Sequence, residues 1–252
     1  MKREKIEFPG SLSYNLSASL DLPEDEKPQA YALFAHCFTC TKNLRAIHNI
    51  NKALTSHKIA VLRFDFTGLG ESEGDFADTN FSSNVGDLVA AAEFLKKNYQ
   101  APKILVGHSL GGAAVLQAAG EIPDIRAVCT IAAPFDPGHV SRLLVSKREE
   151  IERSGEAEFN LAGSTFRIKK QFLDDLEQRQ MQKVIERLNR ALLIFHGPFD
   201  NIVGIDNAAK IFVAAKHPKS FISLDDADHL LMKEEDSLYV GKMVATWASK
   251  YI

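Results

Sequence analysis

The sequence has no long hydrophobic run, few cysteines and no large excess of charge of either sign. No segment is apolar over the length needed to span a bilayer, and the basic residues at the start are not followed by an apolar stretch of signal-peptide length. A formal net charge of −3 offers no cationic face of the size that a nucleic-acid backbone requires. We therefore expect a cytoplasmic protein that partners neither membrane nor nucleic acid.

Cysteine is the scarcest of the reactive residue types. Three cysteines in 252 residues are too few, and odd in number, for a disulfide framework, which fits a reducing compartment. Two of them, Cys37 and Cys40, stand together in AHCFTC. A thioredoxin-like redox pair, half of a metal site and a pair with neither role are all compatible with that spacing.

Apolar runs and helical patterns alternate along most of the chain. Six runs have the composition of buried strands, at 30–36, 59–66, 103–108, 125–133, 191–197 and 219–224. Helical spacing fills 42–57, 81–98, 110–120, 204–215 and 237–250. This alternation predicts an α/β fold, with a mostly parallel sheet covered by helices on both faces. At the start, KIEFPG and SYNLSASLDLP predict an antiparallel hairpin at the edge of the sheet.

The region from about 137 to 190 interrupts this rhythm. It is highly charged and mostly helical in pattern, with a hairpin expected at AEFNLAGSTFRI. We expect residues 1–252 to form a single domain in which this insertion is a small helical cap above the carboxyl edge of the sheet. The alternative is an extra pair of crossover helices with no contact to any site.

The sequence VGHSLGG carries the strongest functional signal. Gly107, Ser109 and Gly111 fit G-x-S-x-G directly after an expected strand and before an expected helix. A serine at the apex of such a turn takes a strained conformation, and only small residues fit two positions to either side. Ser109 is therefore the candidate nucleophile, the alternative being a glycine-rich turn with a capping serine.

A serine hydroxyl needs a base, and the base needs an acid to orient it. In chains with this elbow the acid and then the histidine follow the serine. Asp200, just after the strand ALLIF, and His229, in DADHLL, meet that order. Asp65, in FDFTGLGES, is the main rival for the acid, although its glycine-rich surroundings favour a structural turn.

The segment around AHCFTC leaves a strand expected beside the one that carries the elbow. Such a loop supplies one main-chain donor to an oxyanion hole, and the other comes from the residue after the nucleophile. We assign these donors to Phe38 and Leu110. A redox-regulated variant stays open, in which oxidation of Cys37 and Cys40 twists the loop and switches activity off.

Three further histidines end expected strands. His36, His108 and His196 could approach one another as a zinc site, but none of the close spacings typical of zinc ligands occurs, so no metal is expected. We expect Phe38 and His108 to bind substrate in an apolar pocket.

Four runs carry a resemblance over nearly the whole chain: AHCFTCTKN, VLRFDFTGLGESEGDFADTNFSSNVGDL, VGHSLGGAAVL and AAPFDPGHV. The chain resembles the α/β-hydrolase superfamily, and within it the hydrolase half of bacterial bifunctional proteins that join an α/β hydrolase to an osmotically induced peroxidase-type domain. The resemblance implies an α/β-hydrolase fold and a carboxylesterase-like serine hydrolase with Ser109, Asp200 and His229 in the catalytic places. Since the chain ends at Ile252, after the last helix implied, the peroxidase half is not expected here.

These observations predict hydrolysis of a small-molecule carboxylic ester or thioester with a small to medium acyl group. No cofactor is required, and acidification should lower activity because the base must be neutral. Peptidase, acyltransferase and carbon–carbon bond hydrolase activities stay open, as does a non-catalytic ligand-binding protein of the same fold. Ser109 in place of an aspartate argues against a dehalogenase or epoxide hydrolase. Oligomeric state is left undetermined.

Overall fold

A computed structural model describes residues 1–24, 26–161 and 163–252. Its centre is an eight-stranded sheet in the order β1-β2-β4-β3-β5-β6-β9-β10. The strands are β1 (Lys2–Pro9), β2 (Asn15–Leu22), β3 (Ala30–Ala35), β4 (Ile59–Phe64), β5 (Ile104–His108), β6 (Ala127–Ile131), β9 (Ala191–His196) and β10 (Lys219–Ser223). β1 and β2 pair antiparallel and β2 joins β4 antiparallel, while the other pairings are parallel. The predicted mostly parallel sheet with an antiparallel edge hairpin is confirmed.

Continuous apolar sequence explains the central strands. Every residue of β3, β4, β5, β6 and β9 is buried, as expected for strands covered on both faces. β10, at the edge, alternates between exposed and half-buried residues instead. The six predicted apolar runs coincide with the six parallel strands within two residues at each end.

Helices cover both faces of the sheet. The main ones are α1 (Arg45–Ser56), α2 (Phe81–Asn98), α3 (Leu110–Ala118), α7 (Asp206–Ala214) and α8 (Glu234–Ala248). Apolar residues of α1 and α8 form the core on one face, and those of α2, α3 and α7 form the core on the other. α2 begins at a capping box in which the Asn80 side chain accepts from the Ser83 N–H and the Ser83 hydroxyl accepts from the Asn80 N–H.

The segment between β6 and β9 is not purely helical. It holds a 3₁₀ helix (Pro137–Lys147), α4 (Arg148–Ser154), the antiparallel strands β7 (Glu156–Leu161) and β8 (Ser164–Lys169), α5 (Lys170–Glu177) and α6 (Met181–Glu186). The hairpin predicted at AEFNLAGSTFRI is confirmed. Arg167 and Lys169 of β8 form ion pairs with Asp75 and Asp78, so the hairpin is tied to the turn before α2.

No helix in the described part of the chain has the length and apolar character needed to cross a bilayer.

Candidate active site

Ser109 stands between β5 and α3 in a conformation that L-residues rarely adopt. Its φ is 55° and its ψ is −124°, and its N–H donates to the Ile131 carbonyl of β6 at 2.8 Å. A non-glycine residue in this region is strained, and the surrounding hydrogen bonds hold it there. The predicted sharp turn at this position is therefore present.

The glycines on either side of Ser109 are required by close packing. A Cβ at position 107 would lie 2.3 Å from the Gly111 carbonyl oxygen, and one at position 111 would lie 2.4 Å from the His36 carbonyl oxygen. Both distances are below any van der Waals contact. The expectation that only small residues fit here agrees with this geometry.

Three side chains from three loops meet at the carboxyl edge of the sheet. The Ser109 hydroxyl lies 3.0 Å from His229 Nε2, and His229 Nδ1 lies 2.8 Å from Asp200 Oδ2. Asp200 follows β9 and His229 follows β10. Each of the three is less than a tenth exposed. The geometry suits a neutral imidazole that accepts the serine proton on Nε2 and donates from Nδ1 to the carboxylate.

The Asp200 carboxylate is well supplied with donors. Its Oδ1 accepts from the N–H groups of Ile202 and Val203, both at 2.9 Å. Burial alone would raise the pKa of Asp200, but the adjacent His196 ring and hydrogen bonds from His229 and the Val203 N–H outweigh it and hold that pKa well below its ordinary value. Asp200 is therefore ionised at neutral pH and can stabilise an imidazolium beside it.

The loop after β3 contains a disulfide bond, which the sequence alone did not determine. Cys37 and Cys40 form a disulfide around Phe38 and Thr39. The third cysteine, Cys129 on β6, is free and buried, and burial raises the pKa of its thiol. A single disulfide within a four-residue turn is not a framework of several disulfides, so it does not conflict with the low cysteine count. Neither Cys37 nor Cys40 is a free thiol.

The Cys37 carbonyl is held from two sides. His36 Nδ1 lies 2.8 Å from it and the Cys40 N–H donates to it at 3.1 Å. His36 Nε2 accepts from the Phe66 N–H at 3.3 Å, so the proton of the neutral ring is on Nδ1. Burial lowers the pKa of His36, which favours this neutral form.

The fixed Cys37 carbonyl determines where the Phe38 N–H points. In a trans peptide the C=O and the next N–H point in opposite directions, so the Phe38 N–H is turned away from the His36 ring. Leu110 is the first residue of α3, and its N–H has no acceptor within the helix. Phe38 and Leu110 line the same small cavity beside the elbow, so the two predicted oxyanion donors are neighbours.

The Phe38 side chain belongs to an aromatic cluster. Its ring centroid lies 5.7 Å from that of Phe76, 5.7 Å from that of Phe172 on α5 and 6.2 Å from that of Phe159 on β7. Phe166 of β8 packs against Phe76 and Phe159. The segment between β6 and β9 therefore packs directly on the loop that carries Phe38.

The structure places the remaining candidates as follows. His108 is buried, with Nε2 2.6 Å from the His229 carbonyl, so its expected contact with substrate stays a prediction. His196 Nε2 lies 2.7 Å from the Val203 carbonyl. The rings of His36, His108 and His196 are thus each bonded to a main-chain carbonyl.

Asp65, the rival acid, is engaged elsewhere. Its carboxylate accepts from the Lys42 N–H, the Glu71 N–H and the Lys42 ammonium, the last at 2.5 Å. Lys42 is 3% exposed and Asp65 is fully buried, so this is an interior ion pair. The structural interpretation of Asp65 agrees with these contacts, whereas sequence reasoning missed the role of Lys42. A lysine two positions after Cys40 gave no sign of burial.

Comparison with known proteins gives one family and several relatives. The sequence model described as "Alpha/beta hydrolase family" matches residues 32–241. Among curated proteins, the mitochondrial palmitoyl-protein thioesterase ABHD10 of Mus musculus is 29% identical over 185 residues, which are 70% of this chain and 58% of that protein. This chain's match therefore spans less than two thirds of that relative's length.

Two solved structures extend the comparison. The esterase domain of a Rhodothermus marinus protein is 49% identical, with a TM-score of 0.81 over 100% of this chain and 99% of the other. Est1E of Butyrivibrio proteoclasticus with bound ferulic acid is 21% identical, with a TM-score of 0.79 over 97% of this chain and 98% of the other. At that identity the second likeness concerns the fold alone.

Proposed function

The chain belongs to the alpha/beta hydrolase family, and from this premise we propose that it is a serine hydrolase of carboxylic esters or thioesters. The observation that carries the proposal is the continuous hydrogen-bonded path from the Ser109 hydroxyl through His229 to Asp200. The path has the order of nucleophile, base and orienting acid that acyl transfer requires. The 49% identical relative is described as an esterase domain, which supports the same class of reaction.

In the proposed reaction His229 Nε2 takes the proton of Ser109 as Oγ attacks the carbonyl carbon. The tetrahedral intermediate collapses when His229 returns that proton to the leaving alcohol or thiol, which leaves an acyl-serine. Water then attacks the acyl carbon with His229 again as base, and the carboxylic acid leaves Ser109 free. Asp200 keeps the imidazole in the Nδ1–H form and stabilises its positive charge in both halves.

The Phe38 and Leu110 N–H groups are the proposed oxyanion donors. One faces away from a carbonyl held by His36, and the other is a free amide at a helix N-terminus. Donors fixed in this way need no reorganisation when charge develops on the substrate oxygen, and each is typically worth about 10²–10³ in turnover.

The proposed substrate is a small molecule with a small to medium acyl group. The Phe38 side chain and the aromatic cluster around it place apolar surface beside the proposed oxyanion hole. The segment between β6 and β9 is proposed to be the cap that borders this apolar surface. Names of relatives support cleavage of both ester and thioester bonds: one structure is that of an esterase domain, and a curated relative is a palmitoyl-protein thioesterase.

Regulation by redox state is a second candidate property of the same site. One observation favours it: the disulfide between Cys37 and Cys40 encloses Phe38, a proposed oxyanion donor. A cytoplasmic location and the resemblance to the hydrolase half of bifunctional proteins stay predictions of the sequence. A purely ligand-binding role is disfavoured by the hydrogen bonds among Ser109, His229 and Asp200.

The test is labelling with a fluorophosphonate probe, together with hydrolysis of p-nitrophenyl esters of increasing chain length. We expect the parent to label and Ser109→Ala to lose both labelling and turnover, because loss of the nucleophile alone costs about 10⁶ in kcat in a comparable serine hydrolase.

The matched control is Ser249→Ala, which removes an exposed serine hydroxyl near the end of α8. This variant should label and turn over like the parent. Retained labelling in a folded Ser109→Ala variant would refute the proposal, as would a parent protein that neither labels nor hydrolyses any ester of the panel.

A further inference from the structure

His108 immediately precedes the proposed nucleophile, yet it contacts the proposed base. Its Nε2 lies 2.6 Å from the main-chain carbonyl of His229, and the two rings lie with centroids 5.1 Å apart. His108 is 3% exposed. A residue fixed at the end of β5 therefore reaches across to the loop that follows β10.

His196 makes the corresponding contact with the loop of the proposed acid. It is the last residue of β9 and is fully buried. Its Nε2 lies 2.7 Å from the Val203 carbonyl and 3.4 Å from Asp200 Oδ2. The Val203 N–H in turn donates to Asp200 Oδ1. The His196 ring thus contacts both ends of the short turn 200–203 from the interior of the protein.

The two contacts require the same tautomer. A carbonyl oxygen only accepts, so Nε2 carries the proton in both rings. The Nδ1 atoms of both are buried and have no hydrogen-bond partner among the described residues. Burial, with the nearby His229, lowers the pKa of His108 to about 3, so its neutral Nε2–H form persists across the working range.

We propose that His108 and His196 are positioning residues that hold His229 and Asp200 by main-chain carbonyls of their loops. The inference rests on the proposed function and adds two members to its site. Neither histidine transfers a proton or touches the reacting atoms. Their strands each pair with a neighbour on both sides, and every residue of β5 and β9 is buried, whereas the loops they hold are not part of any helix or strand.

Placement matters because the serine, base and acid come from three separate loops. A rigid strand end can fix a loop only through a specific contact, and a hydrogen bond to the main chain fixes the backbone rather than one rotamer. A displacement of about 1 Å between reacting groups can cost about 10² in rate. Substrate binding should change little, because the side chains of His108 and His196 are almost fully buried.

The test compares His108→Leu with His108→Gln in the full chain, and His196→Leu with His196→Gln. Leucine removes the donor, whereas a glutamine amide can still donate near the position of Nε2. For each leucine variant we expect kcat on p-nitrophenyl acetate to fall by about 10²-fold while KM stays within about twofold. Each glutamine variant should have a kcat about tenfold higher than that of the matching leucine variant.

The matched control is His57→Leu. His57 Nδ1 also contacts a main-chain carbonyl, that of Ala53 at 2.9 Å, but at the end of α1 and on an exposed residue. Its kcat and KM should equal those of the parent. If a leucine variant fails to fold, His108→Asn or His196→Asn is used in its place, because the shorter asparagine amide does not reach the Nε2 position.

The outcomes separate this inference from the proposed function. A folded His108→Leu or His196→Leu variant with the parent's kcat would overturn the inference while parental labelling upholds the function. Equal loss of kcat in the leucine and glutamine variants, or a parallel rise in KM, would also overturn it, since that pattern indicates only a packing role. A parent that neither labels nor hydrolyses any ester of the panel would overturn both.

Discussion

At the scale of single residues, the least expected feature is a buried lysine beside the loop of the proposed oxyanion hole. Lys42 Nζ contacts Asp65 Oδ2 at 2.5 Å and Glu71 Oε2 at 2.7 Å. Asp65 is fully buried, whereas the Glu71 side chain is 64% exposed. Because an interior charge without its partner is much more costly than an exposed one, the two contacts should contribute very differently to stability.

We predict that Lys42→Met lowers the free energy of unfolding by about 3 kcal/mol, because the Asp65 carboxylate stays buried without a counter-charge. Glu71→Gln should change it far less, because that carboxylate faces water. Urea unfolding followed by circular dichroism measures both. Equal effects of the two substitutions would contradict this account of the pair.

At the scale of elements, the loop from 36 to 43 joins several supports within a few residues. Its carbonyl at Cys37 is held by His36 and by the turn that the disulfide closes. Its far end is held by Arg63, whose guanidinium donates to the Lys42 carbonyl and to Asn43 Oδ1. Covalent closure thus acts on a segment that hydrogen bonds already shape.

We predict that reduction by dithiothreitol lowers kcat by about tenfold with little change in KM, because one oxyanion donor becomes less rigid while His36 still holds it. This is opposite to the alternative that the sequence left open, in which oxidation of Cys37 and Cys40 switches activity off. The reason is that the hydrogen bonds of Ser109, His229 and Asp200 are formed in the disulfide-bonded structure.

Cys40→Ser provides the control for the reduction experiment. The variant cannot form the disulfide. Its kcat should therefore equal that of the dithiothreitol-treated parent, both with and without dithiothreitol. The measurement is turnover of p-nitrophenyl acetate after equilibration in each condition. A parent enzyme whose kcat does not respond to reduction would show that the disulfide has no part in turnover.

At the scale of the whole molecule, buried carboxylates link stability to pH. Asp21 on β2 is fully buried and accepts from Arg63 Nε at 2.8 Å and Arg3 Nε at 2.7 Å. Burial would raise the pKa of Asp21, but the hydrogen bonds from the two arginines hold it below its ordinary value. Asp200 has a lowered pKa as well. Both carboxyls are more acidic folded than unfolded, so folding is favoured where they are ionised.

We predict that the free energy of unfolding falls as pH decreases from about 5 to about 2, with a slope of about 1.4 kcal/mol per pH unit for each proton that the unfolded chain binds in excess. The sign follows from the lowered pKa values of Asp21 and Asp200 in the folded protein. The stabilisation from each carboxylate is complete above its pKa in the unfolded chain, and it is lost as pH falls through its pKa in the folded protein. Urea unfolding at several pH values measures the slope.

Asp21→Asn should flatten the acid slope, because it removes a buried carboxyl whose pKa is lowered in the folded protein. Asp226→Asn, which alters an exposed carboxylate in the loop before His229, should leave the slope unchanged. A parent protein whose stability is independent of pH over this range would refute the linkage.

Much of this molecule could be read from its sequence alone. Apolar runs and helical spacing identify strands and helices because those periods reflect local geometry and burial. The elbow at Ser109 is equally local, since a strained turn between small residues has a sequence signature. The order of Ser109, Asp200 and His229 follows from the same pattern. The hairpin of β7 and β8 was also predicted from local alternation.

Only the tertiary structure decided which distant atoms meet. The contact of His108 with the His229 carbonyl joins residues 121 positions apart, and the pair of Lys42 and Asp65 depends on β3 lying beside β4. Neither contact has a sequence signature, because the sequence does not show whether a histidine or lysine is buried and hydrogen-bonded or exposed to solvent. The pairing of Cys37 with Cys40 was open for a related reason: spacing permits a disulfide, but the shape of the loop and the redox conditions determine whether it forms.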